Sequence, residues 1–290
     1  MSQLALLYES DKKQNLQSLP IPEPVDGFVQ VRVEAAAFNP LDYKIYDSGK
    51  FVQKVPTVLG GDAAGEVTKI GPDVTKFKVG DRVTFACTPN SPKGVGDGER
   101  GAFQQYALAD ARVTAKARCL FAVLSGLEVI TTSSPAHFEY LKSLGATTVI
   151  DRSAPDVAAQ ILAAARGPVK YVVDAISLKP TQLLGVEVLQ PKGKLVLVLG
   201  LDPSTKEAAA AKDVTMLGTV GPTGFYRSEP FWDSVEGYLK RQVIKPNRVT
   251  VLPGGLHAWE EGFDLHRQGK VSGAKIVIRP QETKSITSSL

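Results

Sequence analysis

LEVITTSSPAHFEYLKSLGATTVID, residues 127 to 151, reads as a strand, a helix and a second strand. LEVITT is a short apolar run, and Pro135 falls in the first helical turn, where its missing amide hydrogen has no partner to lose. Phe138 and Leu141 share one helix face, and Gly145 supplies the C-cap. Toward the C-terminus the alternation continues. SAPDVAAQILAAARG, with Val157, Ile161 and Ala165 at spacing four, is the next helix, and VKYVVDA, GKLVLVLG and VTMLGTV are three further strands. Strands alternating with helices build a mostly parallel sheet covered by helices, and such central strands are expected to be buried on both faces.

Toward the N-terminus the texture is different. LALLYE, FVQVRVEAAAF, AAGEVTKIG, DRVTFAC and FQQYAL are short β patterns broken by Gly and Pro, as in a small barrel or sandwich. Val29, Val31 and Val33 alternate with Gln30, Arg32 and Glu34, so one face is buried and the other wet. Gly80 and Asp81 form a hairpin turn. Gly60, Gly61 and Gly65 permit either a bulge at a barrel corner or close approach of a ligand. The end of the chain holds a helix over FWDSVEGYLKRQ, a helix over HAWEEGFDLHRQG and a strand AKIVIRP that packs back on the first domain. QETKSITSSL reads as a polar tail with nothing to bury. The division is therefore residues 1–115, completed by 252–290, and residues 116–251.

With 290 residues, 43% hydrophobic and 22% charged, the chain can bury a full core. No run reaches the roughly 18 apolar residues of a membrane span, and MSQLALLYES lacks a basic region before an apolar one, so a cytoplasmic protein is expected. The closing SSL places Ser289 where a peroxisomal signal needs a basic residue. Cys87 and Cys119 make neither a disulfide framework nor a metal spacing. The net charge of +4 comes without a block of like charges, which argues against nucleic acid. His137, His257 and His266 share no metal spacing, and a solvated helix face accounts for the last two.

Three segments in order, FNPLDYKIYDSG with VLGGDAAGEVTKIGPDVTKFKVGDRV, LEVITTSSPAHFEYLKSLGATTVID, and GGLHAWEEGFDLHRQGKVSGAKIVI, resemble the medium-chain dehydrogenase/reductase superfamily. Within it they are most similar to quinone oxidoreductases and fungal trans-acting enoyl reductases. The resemblance implies an α/β protein: a GroES-like β-barrel domain joined to a Rossmann-type parallel-sheet domain, with the active site in the cleft between. It further implies reduction by NADPH of a small enone, enoyl or quinone substrate. A polyketide synthase is the implied partner, and homodimers are common among similar proteins. Zinc-dependent members carry a Cys where this chain has Asn39 and a His where it has Gly61. Amide and glycine cannot replace thiolate and imidazole in a tetrahedral site, so no zinc is expected.

Without a metal, hydride addition to a conjugated carbonyl needs donors for the developing enolate oxygen and a proton source. Asn39, Tyr43 and Lys44 lie in the matching loop and suit that role by type. Asn39 and Asp42 equally suit a cap for the turn that Pro40 sets. The adenosine ribose is read at the end of the second Rossmann strand, here Thr132, Ser133 and Ser134, with Tyr140 and Lys142 beyond and no acid before Glu139. That set favours the 2′-phosphate of NADPH, although Ser133 or Ser134 also suits an N-cap. The GxGxxG at Gly96, Gly98 and Gly101 is a decoy, because it runs into a β pattern and opens no helix.

Only residues 109 to 126 separate the last barrel strand from LEVITT, whereas a βαβ unit takes roughly 30 residues or more. The first Rossmann strand, its glycine-rich loop and most of its helix are therefore not encoded. CLFAVLSG is either the last turns of the lost helix or a strand, which a connection of Ser125 and Gly126 restricts to an antiparallel hairpin with LEVITT. Either way the pyrophosphate loses its helix N-terminus, and NADPH binding should be impaired. Three outcomes follow: a reductase by family with its activity in question, a non-catalytic binding or scaffolding relative, or a truncated product without a stable fold. LEVITT and VKYVVDA, deprived of their shared neighbour, either pair with each other or present open edges.

Overall fold

A computed structural model describes residues 1–9, 13–87, 98–114, 127–218 and 246–284, together with Ser234, Gly237, Tyr238 and Arg241. The N-terminal stretch forms strands β1 (Ser2–Tyr8), β2 (Gln14–Pro20) and β3 (Phe28–Ala37), helix α1 (Pro40–Ser48), and strands β4 (Thr57–Val58), β5 (Asp62–Ile70), β6 (Arg82–Ala86) and β7 (Tyr106–Asp110). The middle alternates: β8 (Ile130–Ser133), α2 (Phe138–Ser143), β9 (Thr148–Asp151), α3 (Val157–Ala164), β10 (Tyr171–Asp174), α4 (Lys179–Val188), β11 (Lys194–Leu197), α5 (Pro203–Ala211) and β12 (Thr215–Gly218). Then come β13 (Val249–Leu252), α6 (Trp259–Arg267) and β14 (Lys275–Ile278). Two compact units result, Met1–Cys119 with Phe225–Leu290, and Leu120–Gly224.

In the first unit the strand order β13-β14-β3-β5-β6 shows that the end of the chain completes a sheet begun near its start, while β2-β1-β4 form a second sheet. Val29, Val31 and Val33 are fully buried, as their alternation requires. Gln30 is a correction: it lies on the opposite side yet is buried, because its amide donates to the Pro22 carbonyl at 2.7 Å and accepts from the Thr68 hydroxyl at 2.7 Å. A buried amide with both ends bonded is tolerated where an unpaired one is not. β2 was not anticipated, since QNLQSLP has no apolar alternation; it is held by antiparallel pairing to β1 along its whole length.

Gly65 follows the bulge reading. The β3–β5 register shifts between Val33 and Ala35, and a Cβ on Gly65 would stand 1.9 Å from the Arg32 carbonyl oxygen. A second correction concerns the expected tail. Its first residues are docked: Gln281 donates to the carbonyls of Val33 and Gln105, and the buried Thr283 hydroxyl accepts from the Leu256 amide at 2.8 Å.

The second unit contains two separate parallel sheets, β8-β9 and β10-β11-β12. Among the described residues no strand bridges β8 and β10, and these two do not pair with each other. The five strands are where the sequence places them, and Ala146 N–H bonded to the Leu141 carbonyl closes α2 before the left-handed Gly145. CLFAVLSG and most of FWDSVEGYLKRQ fall outside the described residues.

Burial on both faces is not what β10 shows. One face, with Val172, Leu195, Leu197 and Met216, packs with Val186 of α4, Leu189 just beyond its end and Ala209 of α5. On the other face Tyr171 is 53% exposed and Val173 67% exposed. α4 and α5 cover only one side, and β10 has no neighbour on its outer edge among the described residues. Such an apolar edge invites strand pairing between molecules. Val173→Lys is expected to change stability by no more than about 0.5 kcal/mol, as exposed sites do, and to reduce self-association in light scattering. A marked fall in melting temperature would show that this face is covered.

Candidate active site

The sheet register builds the site. Ala37, the last residue of β3, is paired on one side with Asp62 of β5 and on the other with Val277 of β14. Asn39 follows two residues later as the N-cap of α1, in extended conformation before Pro40. The starts of β5 and β14 and the N-terminus of α1 therefore meet at one point.

The helix cap is made by Asp42, whose carboxylate accepts the Asn39 backbone N–H at 2.7 Å. This leaves the Asn39 carboxamide for other partners. Its Nδ2 donates to Asp62 at 3.0 Å, and its Oδ1 accepts from the Lys275 ammonium, which also reaches Asp62 at 3.3 Å. Of the two readings of NPLDYK, capping thus belongs to Asp42, while the Asn39 side chain joins a charged cluster.

Electrostatics in the cluster follow burial. Asp42 is 4% exposed, and desolvation pushes its carboxyl up to about 7. Backbone donors at Asn39 and Gly61 and the Lys275 charge oppose that rise, while the neighbouring Asp62 charge adds to it. Burial, reinforced by the Asp62 and Asp42 carboxylates, pushes the Cys87 thiol up, so this cysteine is no activated nucleophile. His266 is a correction to the solvated-face expectation. Its ring is half-buried and its Nε2 is buried without a partner; desolvation holds its pKa down against the opposing hydrogen bond with the Phe38 backbone, and the Lys275 charge adds to the fall.

Tyr43 and Lys44 lie one turn along α1. The Tyr43 ring packs on the barrel core with the Arg267 guanidinium 5.7 Å from its centroid, and Lys44 is exposed, its ammonium 6.0 Å from the same centroid. Sequence reasoning missed Asp62 and Lys275 as partners of Asn39, because only the strand register brings positions 39, 62 and 275 together.

The residues expected to read the adenosine ribose collect at the end of β8 and on α2. Ser133 is opposite Asp151 and its carbonyl accepts from Arg152 N–H at 3.0 Å. Ser134 precedes a 3₁₀ turn over Pro135–His137 but its side chain makes no capping bond. Thr132 and Lys142 are exposed, Lys142 paired with Glu139 at 3.0 Å, and Tyr140 is half-buried.

A dinucleotide also needs a cradle for its pyrophosphate, and the described residues of this unit do not fit one. A described glycine stands between a parallel strand and a described helix at Gly200, before α5, and there Asp202 is the N-cap and accepts the Ser204 N–H. A carboxylate thus occupies the donors that a phosphate would use. Of the decoy motif, Gly98 opens a single 3₁₀ turn and Gly101 packs against the Val58 backbone of the barrel; Gly96 lies outside the described residues. A zinc ion fits no better. Asn39 is committed to Lys275 and Asp62, Gly61 offers no side chain, and no described group of three or more His, Cys, Asp or Glu could hold a metal.

A cavity of about 620 Å³ lies away from this cluster, lined by Leu7, Leu19, Pro20, Pro56 and Val58 with Gln3 and Gln104. The two glutamines bond each other at 3.1 Å, and Glu23, Lys54 and Glu99 also line the cavity.

Comparison with known proteins accords with this architecture. Residues 25–118 match the alcohol dehydrogenase GroES-like domain family and residues 116–237 the family described as zinc-binding dehydrogenase. The chain is 28% identical to the zinc-binding alcohol dehydrogenase domain-containing protein cipB of Emericella nidulans, covering 91% of this chain and 93% of that protein. It is also 28% identical to lovC of Aspergillus terreus, the enoyl reductase component of lovastatin nonaketide synthase, covering 90% of this chain and 91% of the other. That alignment spans 340 positions yet uses 90% of 290 residues, so roughly 80 positions have no counterpart here. Among solved structures, the quinone oxidoreductase of Coxiella burnetii superposes with a TM-score of 0.73 at 21% identity, covering 96% of this chain and 99% of that one. An alcohol dehydrogenase superfamily protein of Novosphingobium aromaticivorans gives 0.74 at 24%, with the same two coverages. With a GroES-like part and a Rossmann-like part in this order, the chain belongs to the medium-chain dehydrogenase/reductase superfamily.

Proposed function

We propose that this chain is, by descent, a zinc-independent NADPH-dependent reductase of activated double bonds or quinones, whose hold on the dinucleotide is impaired. The break between β8-β9 and β10-β11-β12 among the described residues supports the reading. The adenosine end retains Thr132, Ser133, Ser134, Tyr140 and Lys142, suited to a 2′-phosphate, while the stretch that should cradle the pyrophosphate has no counterpart. The barrel, residues 1–115 with 252–290, retains Asn39 as donor to a carbonyl oxygen, with Tyr43 and Lys44 nearby on α1. The domain of residues 116–251 is the damaged half.

The names of the relatives support a small enoyl, enone or quinone substrate and, in one case, a polyketide synthase as the larger assembly. A non-catalytic role beside such a synthase is the second reading, favoured by the closed barrel core from Leu6 to Ile278, which needs no cofactor to complete it. A cytoplasmic setting suits either.

NADPH titration followed by melting temperature tests the proposal. A ligand at 100 times its Kd stabilises by about 2.7 kcal/mol. The expected result is no saturable rise; saturable stabilisation at micromolar NADPH would refute lost affinity.

A further inference from the structure

The proposed reading gives Asn39 to a ligand oxygen, and what surrounds Asn39 says more than the amide alone. Its Oδ1 is held by Lys275 and its Nδ2 by Asp62. An ammonium has three donors and a carboxamide nitrogen two. Lys275 spends two, on Asn39 and Asp62, and Asn39 spends one, on Asp62. One N–H therefore remains on each. The side chains of Lys275 and Asp62 are 25% and 33% exposed, so a small molecule can reach this point.

The charges leave one cation free to face a ligand oxygen only because the nearest carboxylate is already bonded. Asp42, Asp62, Cys87 and His266 interact electrostatically with the cluster, and Lys275 is the cation among them. Asp62 is compensated by two donors, the Asn39 amide at 3.0 Å and the Lys275 ammonium at 3.3 Å, which weakens its repulsion toward an incoming anion. A divalent metal would have to displace that ammonium and would gain no ligand from Gly61.

We propose that Lys275 is the resident cation of this cluster: with the remaining N–H of Asn39 it binds the oxygen of a carbonyl, enolate or phenolate ligand, and it excludes divalent metal. The inference rests on the reading of Asn39 as an oxygen donor site but not on any dinucleotide, so its test leaves NADPH out.

The probe is 4-nitrophenol, whose neutral and ionised forms differ in absorption. Intact chain is expected to bind it saturably and to favour the ionised form at a pH where the free phenol is mostly neutral. Lys275→Met should weaken binding about tenfold or more, as loss of a charged donor does, while Lys275→Arg keeps it within about threefold. If Lys275→Met does not fold, Lys275→Gln makes the same comparison, since it retains a donor without the charge. Equal binding by the uncharged variant, or no saturable binding by the intact chain, overturns the proposal. Equilibrium dialysis against Co²⁺ gives the second arm. Substoichiometric uptake is expected; stoichiometric uptake that Asp62→Ala abolishes would assign the cluster to a metal instead. Because neither arm contains NADPH, a negative result here leaves the cofactor reading standing, and NADPH binding would leave this one standing.

Discussion

Replacing residues 115–126 with a strand, glycine-rich turn and helix of the length that a complete dinucleotide-binding βαβ unit needs is expected to give a chain that NADPH stabilises, where the original is not stabilised. The inserted strand would lie between β8 and β10, whose parallel partners already run as β9-β8 and β10-β11-β12. Its turn would supply the backbone N–H groups and helix N-terminus that bind phosphate. The effect should be large, because it takes the pyrophosphate from no cradle to a complete one. At 100 times Kd the repaired chain gains about 2.7 kcal/mol, several degrees in melting temperature for a domain of this size. The covered edge should also reduce association through Val173. Should the repaired chain fold cooperatively and still ignore NADPH, the missing segment would not be the reason for weak binding.

The second large effect is on pH dependence. In the folded protein burial raises the Asp42 carboxyl from the usual 3.8 to about 7. A raised acid means that the folded state keeps a proton the unfolded chain has released. Stability from this residue is therefore complete below about pH 4 and is lost progressively up to about pH 7. A gap of about three between the pKa values corresponds to about 4 kcal/mol at most. Asp42→Asn retains an acceptor for the Asn39 N–H and cannot ionise. Relative to the parent, the variant should gain stability between pH 4 and pH 8, by up to that amount. Urea unfolding at both pH values measures it, and parallel pH profiles for the two proteins would show that Asp42 is ionised without cost.

Most of the scaffold was legible in the residues. Valines at alternate positions in β3 and the helix signals around Pro135 and Gly145 report local conformation, which neighbours in sequence determine. Contacts between distant segments were less visible. Gln30 reads as a wet-face residue until Pro22 and Thr68 are beside it, and Gln281 reads as tail until the Val33 carbonyl is in reach. The site shows the same division. Asn39 was recognisable from its motif, and the choice between cap and site could be made only when Asp42 took the cap and Lys275 the amide. Burial of β10 on both faces was expected because its composition is that of a central strand; composition cannot register that among the described residues β10 has no outer neighbour and helices on one face only. The deficit was readable only as a length, the distance from residue 109 to residue 126.

The pairing of β14 with β3 has a consequence for how the protein comes into being. Synthesis proceeds from the N-terminus, so Ala36 and Ala37 leave the ribosome some 240 residues before Val277 and Ile278 arrive to pair with them. Lys275 is delivered on the same late strand. A nascent chain thus carries Asp62 and Asn39 without their cation, and an open edge on its longest described strand, until residues 275–278 have been added. A chaperone that shields such an edge is therefore expected to raise the yield of native molecules.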